Sequence, residues 1–224
     1  METIAQDASM WTQYVRGMAL YIAHTDIRLG QRIYGGRSQI YRATIYTRRQ
    51  RFAVKCLPMA TAQSRLLALN EMQRWMSFRH PNILPLVGVS NIPDDNGVLE
   101  LALISEFATF TSLSSLMLYR AAPEGVVLRL ARDIASALHY IHSQRIIYGD
   151  LHSRNVVVNS DLQALLIDFG SCTDNEFGTR RSGTRGYEAP EMIRPAIRGV
   201  FGYNCRADIW PLGIILCELL GVNM

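Results

Sequence analysis

The sequence predicts an α+β chain in two parts: a small, mostly antiparallel sheet with one main helix, then a larger, mostly helical part. Three observations carry this. Between residues 27 and 107, short runs rich in Val, Ile, Tyr, Phe and Leu alternate in part with polar residues and are cut by Gly-rich or charged turns. From Thr61 to Ser77 the apolar repeat changes to helical intervals. After Phe107 helical spacing dominates, in segments ending near Ser143 and Leu220. With 49% hydrophobic residues among 224, both parts can build a core.

Residues 1–9 are expected to be disordered. Trp11, Tyr14, Val15, Met18 and Ile22 then recur at roughly helical spacing, which predicts a helix from Met10 to Ala23 packed on the small part. Ile27–Tyr34, Gln39–Tyr46 and Arg51–Leu57 read as three strands. Thr61–Ser77 reads as a helix with Leu66, Leu67, Asn70, Glu71 and Trp75 on or near one face. Ile83–Val89 and Val98–Phe107 read as two more strands, joined by the turn residues 91–97. Pro123 suits the first turn of a helix. Val127, Leu130, Ala131, Ile134, Leu138 and Ile141 continue that helix to about Ser143. Ala207–Leu220 is a further helix, apolar round most of its circumference. The expected organisation is an N-terminal extension over 1–25, a small lobe over 26–107 and a large lobe over 108–224.

Several function classes are disfavoured. The net charge of +4 is modest. Arg48, Arg49 and Arg51, and the pair Arg180 and Arg181, read as solvated loop charges with no interleaved aromatics to stack bases, so no nucleic-acid partner is expected. Cys56, Cys172, Cys205 and Cys217 have no CxxC spacing, which argues against structural zinc and fits a reducing compartment. The N-terminus lacks a basic segment followed by an apolar core. The apolar run from Ile209 to Val222 is broken by Glu218 and falls short of the ~20 residues of a membrane span. An intracellular protein with no membrane partner is expected.

The chemistry concentrates in Tyr148-Gly149-Asp150-Leu151-His152-Ser153-Arg154-Asn155 and Asp168-Phe169-Gly170, each behind a strand-like apolar run. Two acids and one amide stand in fixed order. One carboxylate can accept the proton of an attacking hydroxyl. An amide oxygen and a second carboxylate can hold Mg²⁺ against phosphates. The 18 positions from Asp150 to Asp168 suit a loop–strand–turn–strand unit that returns both acids to one place.

This arrangement resembles the catalytic and metal-binding loops of protein kinases. Further matches follow in order from about Ile27 onward. Phe52-Ala53-Val54-Lys55 resembles the strand carrying the nucleotide lysine, and Glu71, 16 positions on, its helical partner. His80-Pro81-Asn82-Ile83 resembles the turn after that helix, Ile104-Ser105-Glu106-Phe107-Ala108 the hinge, and Gly183-Thr184 with Tyr187-Glu188-Ala189-Pro190-Glu191 the end of the activation segment. Ala207-Asp208-Ile209-Trp210 resembles the helix that supports the catalytic loop.

The resemblance implies a bilobal protein-kinase-like fold whose large lobe is incomplete, and transfer of the γ-phosphate of ATP to Ser/Thr hydroxyls of a protein substrate, with Mg²⁺. It gives Asp150 the role of general base, Lys55 that of phosphate anchor, Glu71 that of its ion-pair partner and Arg154 that of a stabiliser of the transferring phosphate. It makes Asn155 and Asp168 the Mg²⁺ ligands. Ile33 and Gly35 fall in the glycine-loop slot. Ile40, Ala53 and Val157 sandwich the adenine, Ser105 lines the back of the pocket, and Glu106 and Ala108 offer backbone groups. Trp75, Tyr148 and Phe169 form an aromatic stack, and Asp208 anchors the loop. Glu191 pairs in the family with an arginine that would lie beyond position 224, so the C-terminal face is expected to be exposed and prone to association.

The chain departs from the family pattern in three places. Ile33 and Ser38 replace two loop glycines, which weakens the cradle for phosphates. Gly149 replaces the arginine that would receive a phosphate, so control through phosphorylation of Thr173, Thr179 or Ser182 is not expected. His152 stands where the serine/threonine class has lysine. Two alternatives stay open: a pseudokinase scaffold without turnover, and a small-molecule phosphotransferase, because Gly149–His152 with Asn155 also resembles aminoglycoside and choline kinases.

Overall fold

The computed structural model describes residues 1–35, 38–107, 111–119, 124–174, 183–193 and 204–222. Two compact units are present: Met1–Ser77 with Pro85–Ala108, and Phe78–Leu84 with Thr109–Met224.

The first unit holds a five-stranded antiparallel sheet in the order β1-β2-β3-β5-β4, from β1 (Ile27–Gly35), β2 (Gln39–Ile45), β3 (Arg48–Leu57), β4 (Leu86–Pro93) and β5 (Leu99–Glu106). Strand alternation sorts its two faces. Ala43, Ile45, Phe52, Val54, Cys56, Ala102 and Ile104 form one buried cluster, covered by Ile22, Ile27 and Leu29. The other face presents Lys55, paired in register with Ile40 and Leu103, beside Ala53, paired with Arg42 and Ser105. Burial pushes the Cys56 thiol up to about 12, so it behaves as an inert core residue.

Helix α3 (Ala62–Ser77) supplies the partner for that second face. Thr61 caps it reciprocally: the Ser64 N–H donates to Thr61 Oγ1 at 3.0 Å, and the Thr61 N–H to Ser64 Oγ at 2.9 Å. The buried side is Arg65, Ala68, Leu69, Glu71, Met72 and Trp75. Of the expected face, Glu71 and Trp75 are buried, Leu66 and Leu67 are half-buried and Asn70 is exposed.

Three expectations about the first unit need correction. Residues 2–6 are not disordered but form α1 (Glu2–Gln6), because Ala5 buries against α3. The following helix, α2 (Ala8–Arg16), ends at Gly17, and Leu20–Ile22 then bond to Val89 as an extended segment. The strand expected at Ile83 starts at Leu86, because Pro85 cannot donate to a ladder. Ile83 and Leu84 bridge instead to Leu166 in the second unit's own core.

The second unit is built on α5 (Glu124–Ser143), whose Val127, Leu130, Ile134, Ala137, Leu138 and Ile141 are buried. The stretch before it includes β6 (Thr111–Ser112) and α4 (Leu113–Tyr119); Pro123 lies outside the described residues. After α5 come two small antiparallel pairings. One joins β7 (Ile146–Ile147) to β10 (Thr173–Asp174). The other sets β8 (Val156–Val158) between β6 and β9 (Ala164–Leu166). α6 (Pro190–Ile193) and α7 (Ile209–Leu219) complete the described elements. α7 packs on α5 and buries Pro211, Ile215 and Leu219, while Ile209, Trp210, Leu220 and Val222 stay exposed. Glu191 is exposed, so no buried unpaired carboxylate is created there.

Candidate active site

In the first unit, Lys55 on β3 meets Glu71 on α3 at 2.7 Å, with both side chains about nine-tenths buried. Burying either charge alone would be costly, and the contact offsets that cost for both. Ile40, Ala53 and Ser105 lie on the Lys55 face of the sheet, Ile40 and Ala53 half-buried and Ser105 fully buried. Ile33 is exposed on β1, and Gly35 ends that strand opposite Gln39. Glu106 ends β5 with its side chain accepting from Gln50 Nε2 at 3.0 Å. Ala108 lies outside the described residues.

In the second unit, residues 148–155 follow β7 and close on β8. Asp208 fixes the start of this loop. Its Oδ2 accepts from the Tyr148 N–H and its Oδ1 from the Gly149 N–H, both at 2.8 Å. His142 Nε2 adds a third contact at 2.8 Å. A carboxylate that is 2% exposed inside an apolar helix end needs such partners, and the loop supplies them.

Gly149 has φ +83°, and a Cβ there would sit 2.8 Å from the Ser171 carbonyl oxygen. Glycine is thus required by the backbone, a reason separate from the loss of arginine chemistry. Tyr148, fully buried, donates its hydroxyl to the Ile167 carbonyl and meets Phe169 edge to face at 6.0 Å. Phe169 also meets Phe78 at 5.1 Å. Of the expected stack, Tyr148 and Phe169 are in contact and Phe78 is the member that sequence reasoning missed. Trp75 is buried in the first unit.

Asp150 is the acid of this loop. Its Oδ1 accepts from Thr184 Oγ1 at 2.9 Å, and its Oδ2 lies 3.7 Å from His152 Nε2. His152 Nδ1 accepts the Arg154 N–H at 3.2 Å, which leaves the imidazole proton on Nε2, toward Asp150. Burial holds the His152 pKa below its ordinary value, outweighing the pull of Asp150. Neutral His152 therefore cannot replace a lysine as a fixed positive charge. Arg154 is exposed.

Asn155 donates Nδ2 to the Asp150 carbonyl at 3.0 Å, which leaves its amide oxygen as the acceptor end. The Asn155 carbonyl accepts the Ile167 N–H at 3.0 Å, tying the loop to the residue before Asp168. Asp168 adopts φ +63°, a left-handed conformation more accessible to Asp than to most residues. Two hard oxygen donors fit Mg²⁺. Among the described residues no group of three or more His, Cys, Asp or Glu side chains is placed to hold a metal ion. Val157 is half-buried on β8, opposite Leu165.

A helix-backed antiparallel sheet with a buried lysine–glutamate pair in one unit, and in the other a loop carrying Asp150 and Asn155 tied by backbone to the residue before Asp168, are the features of a protein-kinase-type fold. A sequence profile of the protein kinase domain matches residues 25–224, and the chain belongs to that family. Three relatives illustrate the similarity. Serine/threonine-protein kinase pak-2 of Caenorhabditis elegans is 31% identical over 77% of this chain and 32% of its own length. Probable serine/threonine-protein kinase mkcD of Dictyostelium discoideum is 30% identical over 77% of this chain and 26% of its own. A probable inactive serine/threonine-protein kinase of the same organism is 28% identical over 76% of this chain and 15% of its own. The chain thus spans a third or less of the length of these relatives.

Proposed function

We propose that the chain acts inside the cell as an ATP-dependent protein kinase domain that moves the γ-phosphoryl group of ATP to Ser or Thr hydroxyls of protein substrates. The observation that carries this reading is the hydrogen bond from Thr184 to Asp150. It draws the segment ending in Ala189-Pro190-Glu191 onto the acid that would accept the substrate proton. Ser153 and His152 add to that junction, since both meet Tyr187.

The chemistry follows from the named groups. The substrate oxygen forms a bond to the γ-phosphorus, the bond from that phosphorus to the β-bridging oxygen breaks, and ADP leaves with the electron pair. Asp150 orients the hydroxyl and takes its proton. Lys55, held by Glu71, anchors the α- and β-phosphates, and exposed Arg154 offers charge to the transferring group. Asn155 and Asp168 would hold Mg²⁺, which when bound neutralises the phosphates.

A second reading is a nucleotide- or partner-binding scaffold without turnover. Ile33 and Ser38 in place of glycines favour it, as does similarity to a relative named as probably inactive. Incubation with Mg·ATP and a mixed Ser/Thr/Tyr peptide library, followed by phosphoamino-acid analysis, separates the readings. The kinase reading expects phosphoserine and phosphothreonine that vanish in Asp150→Asn. Nucleotide binding with no transfer supports the scaffold, and phosphotyrosine alone overturns the assignment of class.

A further inference from the structure

One buried cation of the first unit has no part in the chemistry above. Arg65, in the first turns of α3, is 9% exposed. Its guanidinium donates to three backbone carbonyls: Nε to Ala5, and the two terminal nitrogens to Met59 at 3.0 Å and Gln6 at 3.1 Å. Ala5 and Gln6 are the last two residues of α1, whose carbonyls lack intrahelical partners and favour a cation. A second grip lies further along α3, where Gln73 Nε2 donates to the Tyr14 hydroxyl at 3.1 Å. The extension is itself moored to the sheet. Trp11 and Val15 are buried, Asn91 Nδ2 donates to the Thr12 carbonyl at 3.2 Å, and Ile22 bonds to Val89.

The two grips, at Arg65 and Gln73, bracket Glu71 in sequence. Arg65 lies about 9 Å along the helix axis from Glu71 and about 120° round it. The arginine therefore holds the helix from a side different from the one that meets Lys55. We infer that residues 1–22 form an intramolecular strap that sets α3 where Glu71 reaches Lys55, with Arg65 as its positioning residue. The inference rests on the proposed role of Lys55 at the nucleotide. The strap contributes no reacting group and acts through the Lys55–Glu71 pair.

The test uses the full chain as wild type, Arg65→Met, Arg65→Lys, Ala5→Glu, Lys55→Met and the double variant Lys55→Met/Arg65→Met. Ala5→Glu dislodges α1 without altering α3, and decides the matter if Arg65→Met does not fold. Mg·ATP affinity is measured by calorimetry at a temperature where far-UV circular dichroism shows each variant folded. Amide exchange is followed along α3, with α5 as reference. Arg65→Met and Ala5→Glu are expected to weaken Mg·ATP binding by about 2- to 30-fold. Arg65→Lys should recover part of the loss, because an ammonium keeps the charge and three donors. Arg65→Met should add nothing on top of Lys55→Met, as expected for residues acting through one pair. Exchange near Glu71 should rise in Ala5→Glu while that of α5 holds. Unchanged affinity and α3 exchange in folded Ala5→Glu, or losses that add in the double variant, overturn the inference. If Lys55→Met leaves Mg·ATP binding unaltered, the nucleotide reading fails instead, and α3 exchange alone decides the strap.

Discussion

Replacing Asp208 probes the support of the catalytic loop. The carboxylate is 2% exposed and accepts from the N–H groups of Tyr148 and Gly149 and from His142 Nε2, each at 2.8 Å. Asp208→Ala orphans two buried backbone donors, at about 1–3 kcal/mol each, so a loss of about 2–6 kcal/mol is expected. The His142 side chain, 16% exposed, can turn to water and adds little. Asp208→Asn keeps one acceptor oxygen but aims an NH₂ at the other donors, so about half that loss is expected. Against a typical total of about 5–15 kcal/mol, the alanine variant stands near unfolding. Urea unfolding followed by far-UV circular dichroism gives both values. Gly149 directly precedes Asp150, so Asp208→Asn should also lower kcat more than it raises KM. An alanine variant that loses less than about 1 kcal/mol with an unchanged m-value would refute the reasoning, because the loop N–H groups would then have other partners.

Lys55→Met should destabilise the first unit by about 3–5 kcal/mol by removing the ammonium from beside buried Glu71, and Lys55→Met/Glu71→Leu should recover most of that; a single variant as stable as wild type argues against a tight pair. Gly149→Ala should cost about 1–3 kcal/mol in urea unfolding, because φ +83° and the Ser171 carbonyl both oppose a Cβ, and a neutral substitution would contradict the geometry. Burial lowers the pKa of both His152 and His80 from the ordinary 6.5. The unfolded chain then binds more protons near and below that pH, so stability rises with pH through this window and is lost on acidification. The melting temperature should fall between about pH 7.5 and about pH 5.5 and fall less in His152→Asn; a melting temperature that rises on acidification rejects this assignment.

Much of the fold was legible because its signals are local. Alternation in β2 and β3 marked a sheet, and the change to helical spacing after Thr61 marked α3. The spacing of apolar residues from Val127 to Ile141 is the buried stripe of α5. What was hidden depended on contacts distant in sequence. Residues 2–6 are too short a segment to announce a helix, and Arg65, 60 positions after Ala5, holds the carbonyls of Ala5 and Gln6. Ile83 reads as part of the next strand, yet Pro85 stops the ladder and Leu166 claims Ile83.

The proposal for Asp150, Asn155 and Asp168 rests on their order in the sequence. The restraints on Asp150 could not be read there, since Thr184 arrives from 34 positions away and the local bond by which His152 Nδ1 accepts the Arg154 N–H has no mark in the residue order. Gly149 shows the same limit: its residue type suggested a lost arginine, and only the approach of Ser171 explains why a side chain is excluded. Phe78 gave a usable signal, an aromatic just before His80-Pro81, but its partner Phe169 is 91 positions later.

The central claim is that the Asp150 loop performs phosphoryl transfer. The most direct measurement is transfer of labelled γ-phosphate from Mg·ATP to protein, using purified wild type and Asp150→Asn side by side, with Mg·ATP affinity taken on the same samples. The account predicts that both bind Mg·ATP with similar affinity, that wild type transfers label to Ser or Thr, and that Asp150→Asn loses at least about 100-fold in rate. Equal transfer by the two proteins, or a folded wild type that transfers no label, would contradict it.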